Sequence, residues 1–164
     1  KVGGIQVMMW LRLALLRFGS DPTRRRIVKS LNRSNDPRAQ EALLMALADQ
    51  SYLVRKEAAQ ALGDIGDARV VAPLLNLIEE SFHYAMARTA VSALERVLGR
   101  AADVAIPEDI LAAAILGDVN GIYYEHRQGI AWFSKTRSGR PWIMDCSRVR
   151  QLAHREMLRR GLTA

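Results

Sequence analysis

The sequence predicts a mainly α protein. The expected architecture is an α-solenoid of about three helical pairs over residues 1–117, followed by a small α+β extension over 118–164 that contains a β-hairpin. Three observations predict it. Hydrophobic residues make up 49% of the 164 positions and aromatics only 6%, with Ala and Leu dominating the apolar set, a mixture that favours helices. An internal repeat runs through the first two-thirds of the chain. Beyond Gly99 the repeat stops, and a segment with strand-like alternation follows.

The repeat shows when the chain is laid over itself at a shift of 31. Arg24 then meets Arg55, Leu31 meets Leu62, Asp36 meets Asp67, Arg38 meets Arg69, Leu43 meets Leu74 and Leu44 meets Leu75. A third, partial copy comes after a slip of one position: AAQAL at 58–62 is echoed by AVSAL at 90–94. Each unit reads as two short helices. In the middle unit Val54, Ala58, Ala61, Leu62 and Ile65 form an apolar stripe at helical spacing. Gly63 and Gly66 are expected to loosen and end that helix, and Asp67 to cap the next. The second helix runs through Val70, Val71, Leu74, Leu75 and Ile78, with Pro73 in its first turns, where a missing amide is tolerated. Ala58, Ala59 and Ala61 allow close approach of neighbouring helices. One pair cannot cover its own apolar faces, so several must stack.

The remaining elements follow in order. Residues 4–19 are expected to form a first helix that buries Val7, Met8, Leu11, Leu15 and Phe18. Arg12 and Arg17 interrupt its apolar run, which falls short of the ~20 residues a bilayer span needs. A basic helix lying on a membrane surface is the alternative reading of that segment. Residues 106–118 are a further helix, with Pro107 at its start and Glu108 and Asp109 complementing its positive end. Residues 119–146 hold five of the chain's ten aromatics. Strand periodicity runs from Ile130 to Lys135, Arg137–Arg140 is a turn, and Pro141–Met144 returns. The last helix covers about 147–160. Val149, Leu152, Ala153 and Met157 lie on one side of it, and Arg148, Arg155 and Arg159 on the other.

VRKEAAQALGDIGDARVVAPLLNLIEES, residues 54–81, resembles a HEAT-like repeat of the phycobilisome-lyase type. In that pattern Val-Arg opens the first helix, Ala-Ala-x-Ala-Leu-Gly forms its core, and Gly-Asp-x-Arg leads into the second. The match is looser across 22–53 and 85–99. The resemblance implies an α-solenoid, a fold used mainly to hold proteins and sometimes nucleic acids. It says little about chemistry, because the matching positions are packing positions.

Lys and Arg number 24 against 17 acids, a net charge of +7. The excess is uneven: +5 over residues 1–53, −3 over 54–117 and +5 over 118–164. Such a chain is suited to an acidic protein, a nucleic acid or an anionic surface. Two clusters stand out. Arg25, Arg26, Lys29 and Arg33 fall on one side of a helix and could follow successive phosphates; the same row is also what a solvated helix face looks like. Trp132, Lys135, Arg137, Arg140 and Trp142 belong to the hairpin, where exposed aromatics would stack on bases while cations track a backbone. Buried, those aromatics would be the core of the extension.

No catalytic constellation emerges. His83, His126 and His154 are scattered, without metal-ligand spacing, and no phosphate-cradling glycine loop is present. Cys146 stands alone. It permits no disulfide within the chain and suits a reducing cytoplasm; as a nucleophile it has no base tied to it by spacing, and a buried structural thiol fits it better. Neither cofactor nor metal is expected. The expected function is a non-enzymatic scaffold that binds a protein partner, within a larger chain or complex. A nucleic-acid-binding repeat protein is the alternative, and the resemblance adds a bilin lyase or chaperone-like subunit as a third reading.

Overall fold

The structure, a computed structural model, describes the backbone of residues 12–34, 36–80, 84–116, 122–126, 129–135, 141–145 and 147–162. Side chains are described for 12–34, 36–78, 85–112, 114 and 148–162. Eight helices appear among these residues: α1 (12–18), α2 (Asp21–Asn32), α3 (Arg38–Ala46), α4 (Tyr52–Ile65), α5 (Val71–Glu80), α6 (Tyr84–Gly99), α7 (Glu108–Leu116) and α8 (Ser147–Arg159). A 3₁₀ turn, Ala68–Val70, leads into α5. None of the described helices is long and apolar enough to cross a membrane.

Burial follows the repeat. Val28 and Leu31 of α2 are buried, and so are Ala59 and Leu62 of α4, their equivalents one period on. Ala39 and Leu43 of α3 are matched by Val70 and Leu74 at the start of the α5 segment. The one-position slip also holds. Val54, Ala58, Ala59, Ala61 and Leu62 of α4 correspond at a shift of 32 to Met86, Ala90, Val91, Ala93 and Leu94 of α6, and all ten are buried. Three successive helices thus use the same face for packing.

Two hydrogen-bond motifs recur with the period. Asp36 accepts a hydrogen bond from the Arg38 amide at 2.9 Å and pairs with the Arg38 guanidinium at 2.8 Å. Asp67 does the same with Arg69, at 2.9 Å in each case. Each aspartate satisfies an amide that a helix start leaves without an intrahelical partner. Arg24 reaches back to the Gly19 carbonyl at 2.6 Å, and Arg55 to the Gln50 carbonyl at 3.0 Å. Gly19 and Gln50 are themselves one period apart, so each arginine clasps the carbonyl five positions before it. Gly19 also has a steric role: a Cβ there would collide with the Leu15 carbonyl oxygen.

By its contacts the chain forms two compact units, Lys1–Ile65 and Gly66–Ala164, dividing inside the middle pair. In the first unit α4 packs on both members of the α2–α3 pair. In the second, α6 lies against α5, and α8 packs on both α6 and α7. The last helix thus packs on two earlier helices, as α4 does in the first unit, and its buried stripe follows that of α6. Its buried residues agree. Val149, Ala153, Glu156 and Met157 follow Ala90, Leu94, Val97 and Leu98 of α6 at a constant shift of 59, and all eight are buried. Between α7 and α8 the chain forms three strands: β1 (Ile122–His126), β2 (Gly129–Lys135) and β3 (Pro141–Asp145). They make an antiparallel sheet in the order β1-β2-β3, with Tyr123 opposite Trp132 and Ser134 opposite Trp142. The alternation over residues 130–144 does not anticipate β1.

Two local expectations are corrected. Phe18 is not a core residue of the first helix; it is 81% exposed, and Leu16 is buried instead. Two positions along a helix rotate a side chain by about 200°, so burying Leu16 turns Phe18 outward, where the Arg17 guanidinium lies 5.6 Å from its ring centre. Val7, Met8 and Leu11 lie outside the described residues. Gly63 does not loosen α4. The helix continues to Ile65, and Gly63 is buried within it, where the absence of a side chain favours close packing.

Candidate functional site

The α2 row forms through its two neighbours along the chain. Ser20 is extended just before α2, with Pro22 among the helix's first residues, a position that suits proline's fixed φ and missing amide. Burial of Val28 and Leu31 against α3 and α4 turns Arg26, Lys29 and Arg33 outward, while Arg25 is half-buried. Glu57 of α4 receives two of the four cations, Arg25 at 3.1 Å and Lys29 at 3.3 Å. Further along the two helices, Asn32 donates to Asp64 at 3.0 Å. Arg24, at the other end, is bound by Asp49 at 2.8 Å and by Asp21. A polar ladder therefore joins α2 to α4. Its rungs from Arg25 to Glu57 and from Asn32 to Asp64 have the same separation of 32 in sequence. Arg26 and Arg33 are exposed and make no ion pair with a described residue.

The row is thus not one uniform cationic strip. Arg25 and Lys29 hold two helices together through a shared carboxylate, and Arg26 and Arg33 face solvent. Sequence reasoning missed Glu57, although the period carried the signal: a cation at position 25 and an acid at position 57 stand side by side wherever helices stack at that spacing.

A second charged cluster lies at the end of α8. Glu156 is only 4% exposed. It takes bonds from Arg159 at 2.7 and 2.8 Å and from Arg160 at 2.7 Å. The Arg159 hydrogen bonds, against the cost of burial and with help from Arg160, hold its carboxyl at about 2, well below the ordinary range. Arg160 also donates to the carbonyls of Ile106 and Val104 in the connection between α6 and α7. The helix then ends in a glycine cap. Gly161 has φ +72°, its amide donates to Leu158 and that of Leu162 to Met157, each at 3.0 Å. This cluster docks the last helix onto the preceding pair.

Of the hairpin residues, Trp132 and Lys135 stand on β2 and Trp142 on β3. Their side chains lie outside the described part of the structure, and Arg137 and Arg140 lie outside it altogether. Cys146, His83 and the side chain of His126 fall outside it as well; His154 is described and exposed. Among the described residues no group of three or more His, Cys, Asp or Glu side chains could hold a metal ion.

Paired helices recurring at shifts of 31 and 32, with recurring caps and an inter-helix polar ladder, define a helical-repeat protein. The HEAT repeats family matches residues 9–95, more than half of the chain. The chain belongs to the HEAT-repeat family. A segment of 64 residues is 39% identical to the bilin biosynthesis protein PecE of Nostoc sp. (strain PCC 7120 / SAG 25.82 / UTEX 2576), covering 38% of this chain. The matched region spans about a quarter (25%) of that protein's length.

Proposed function

We propose that this HEAT-repeat chain is a non-enzymatic scaffold that binds a protein partner, as one module of a larger chain or complex. The observation that carries the reading is the use of charged and capping residues for architecture. Arg24, Arg25, Lys29, Asp36, Arg38, Arg55, Asp67 and Arg69 bond within the chain, holding helix ends and neighbouring helices. HEAT repeats suit protein–protein contact, because stacked pairs present a long surface whose side chains vary without disturbing the core. We also propose that residues 118–164 act as a distinct extension of the repeat. The test is affinity capture of the tagged, full chain from its native cells, with co-purifying protein and nucleic acid both quantified. Recovery of a protein at stoichiometric level supports a scaffold; recovery of nucleic acid alone overturns it.

The similarity to a bilin biosynthesis protein favours a second reading, that the chain grips a tetrapyrrole-bearing protein as a lyase or chaperone-like subunit. Mixing the chain with bilin and apo-phycobiliprotein then changes the visible absorption spectrum. An unchanged spectrum removes this reading and leaves the scaffold untouched. The nucleic-acid alternative rests on Arg26 and Arg33 together with the hairpin cations, since Arg25 and Lys29 share Glu57. Arg26→Glu with Arg33→Glu then abolishes binding of DNA or RNA at low salt.

A further inference from the structure

We propose that the outer face of α8 docks an acidic, amphipathic segment of a partner protein. The proposal deepens the scaffold reading, on which it rests, by naming the surface and the chemistry of what it takes.

Three observations converge on this face. First, α8 packs on two earlier helices, as α4 does, and also touches β2, but it is buried differently. On α4 the buried set includes Ala58, Ala59, Ala61, Leu62 and Gly63, a broad band around the helix. On α8 only Val149, Ala153, Glu156 and Met157 are buried, a single narrow stripe. A helix in this position with one open side offers about three turns of surface to another chain.

Second, the open side carries one sign of charge. Arg148, Gln151, His154, Arg155, Leu158 and Arg159 are exposed, and no acid is among them. The single acid of the helix, Glu156, faces inward and is taken by Arg159 and Arg160. Arg148 and Arg155 make no ion pair with a described residue. They are two helical turns apart, about 10 Å along the axis, so both lie on one line. A face of mixed sign gains stability from i,i+4 pairs of opposite charge. This one does not.

Third, Leu158 is 58% exposed one turn on from Arg155, on the flank of the arginine line that also carries Gln151. An aliphatic side chain beside a cationic row gains nothing from a phosphate backbone. It gains from an apolar residue on a partner whose flanking acids meet the arginines. The combination of two unpaired arginines and a leucine selects an acidic protein segment over a nucleic acid.

The test uses the full chain and a fluorescein-labelled helical peptide with a leucine stripe flanked by glutamates. A peptide of the same composition in scrambled order and a 12-nucleotide single strand serve as comparisons. Fluorescence anisotropy at low salt is expected to show binding of the patterned peptide at least about tenfold tighter than of the other two probes. Arg148→Glu with Arg155→Glu should weaken peptide binding by about tenfold or more, and Leu158→Ala by several-fold. All three positions are exposed, and circular dichroism checks that the variants keep their helix content. Failure of the patterned peptide to bind, equal or tighter binding of the oligonucleotide, or unchanged peptide affinity in both variants overturns the proposal. Affinity capture separates this failure from failure of the scaffold reading. A stoichiometric partner retained equally by wild type and by Arg148→Glu/Arg155→Glu leaves the scaffold standing and moves its interface elsewhere.

Discussion

Glu156 shows how one buried acid is kept charged. A carboxylate removed from water is destabilised unless cations and donors replace the lost solvation, and here two arginines do so from the next turn of the same helix. Its carboxyl is held at about 2 against an ordinary 4.5. A depressed value means stability that is fully present above about 4.5 and lost as the pH falls toward 2. Glu156→Gln should therefore cost about 1–3 kcal/mol near neutral pH, and the difference from wild type should shrink as the solution is acidified below pH ~4.5. Urea denaturation followed by circular dichroism at several pH values measures it. A difference that stays constant down to pH ~2.5 would show that the glutamate acts by packing alone. Asp36, lowered to about 2 chiefly by hydrogen bonds from Arg38, titrates in the same window in both proteins and cancels in the comparison.

Within the helices, the position in the repeat decides what a leucine is worth. Leu62 is fully buried at a site matched by Leu31 and Leu94, whereas Leu53, on the same helix, is 45% exposed. Leu62→Ala is expected to cost about 2–5 kcal/mol, the range for a core cavity, and Leu53→Ala less than about 0.5 kcal/mol. Thermal or chemical melts of the two variants check the contrast; equal costs would mean that the repeat's packing face is wrongly placed. This face was legible in the sequence, because apolar spacing and a fixed period are one-dimensional signals of burial. So were the Asp67 cap, whose partner lies two positions away, and the last helix, whose predicted and observed cores share Val149, Ala153 and Met157. What was not legible depends on neighbours far along the chain. Glu57 as counter-charge to Arg25 and Lys29 requires knowing which helices touch. Phe18 is misplaced for a different reason: the face that buries Leu16 points the side chain two positions on away from the core.

At the scale of the molecule, the last helix changes how the C-terminal third is understood. Composition divides the chain near residue 117, yet the stripe that α8 buries follows that of α6 at a constant shift, and α8 packs on α6 and α7. The strands lie between two helices, α7 and α8, that pack on each other. Because each unit has its own buried core, a cavity in one should loosen that unit first. Leu31→Ala is expected to speed amide hydrogen exchange mainly over residues 21–65, with a smaller change over 66–162. Uniform acceleration would instead report a single cooperative block. The clasp made by Arg24 and Arg55 bears on how such a chain tolerates changes of length. Arg24 holds the carbonyl five positions behind it and Arg55 those five and six behind, so the stretch from Gly19 to Arg24, or from Asp49 to Arg55, behaves as a ruler. A residue inserted inside either stretch would pull the grip off its target, whereas one inserted outside would leave it alone. In the third copy the matching place is taken by Met86 or Ala87, neither of which can grip a carbonyl. That is also the copy in which the spacing stretches from 31 to 32.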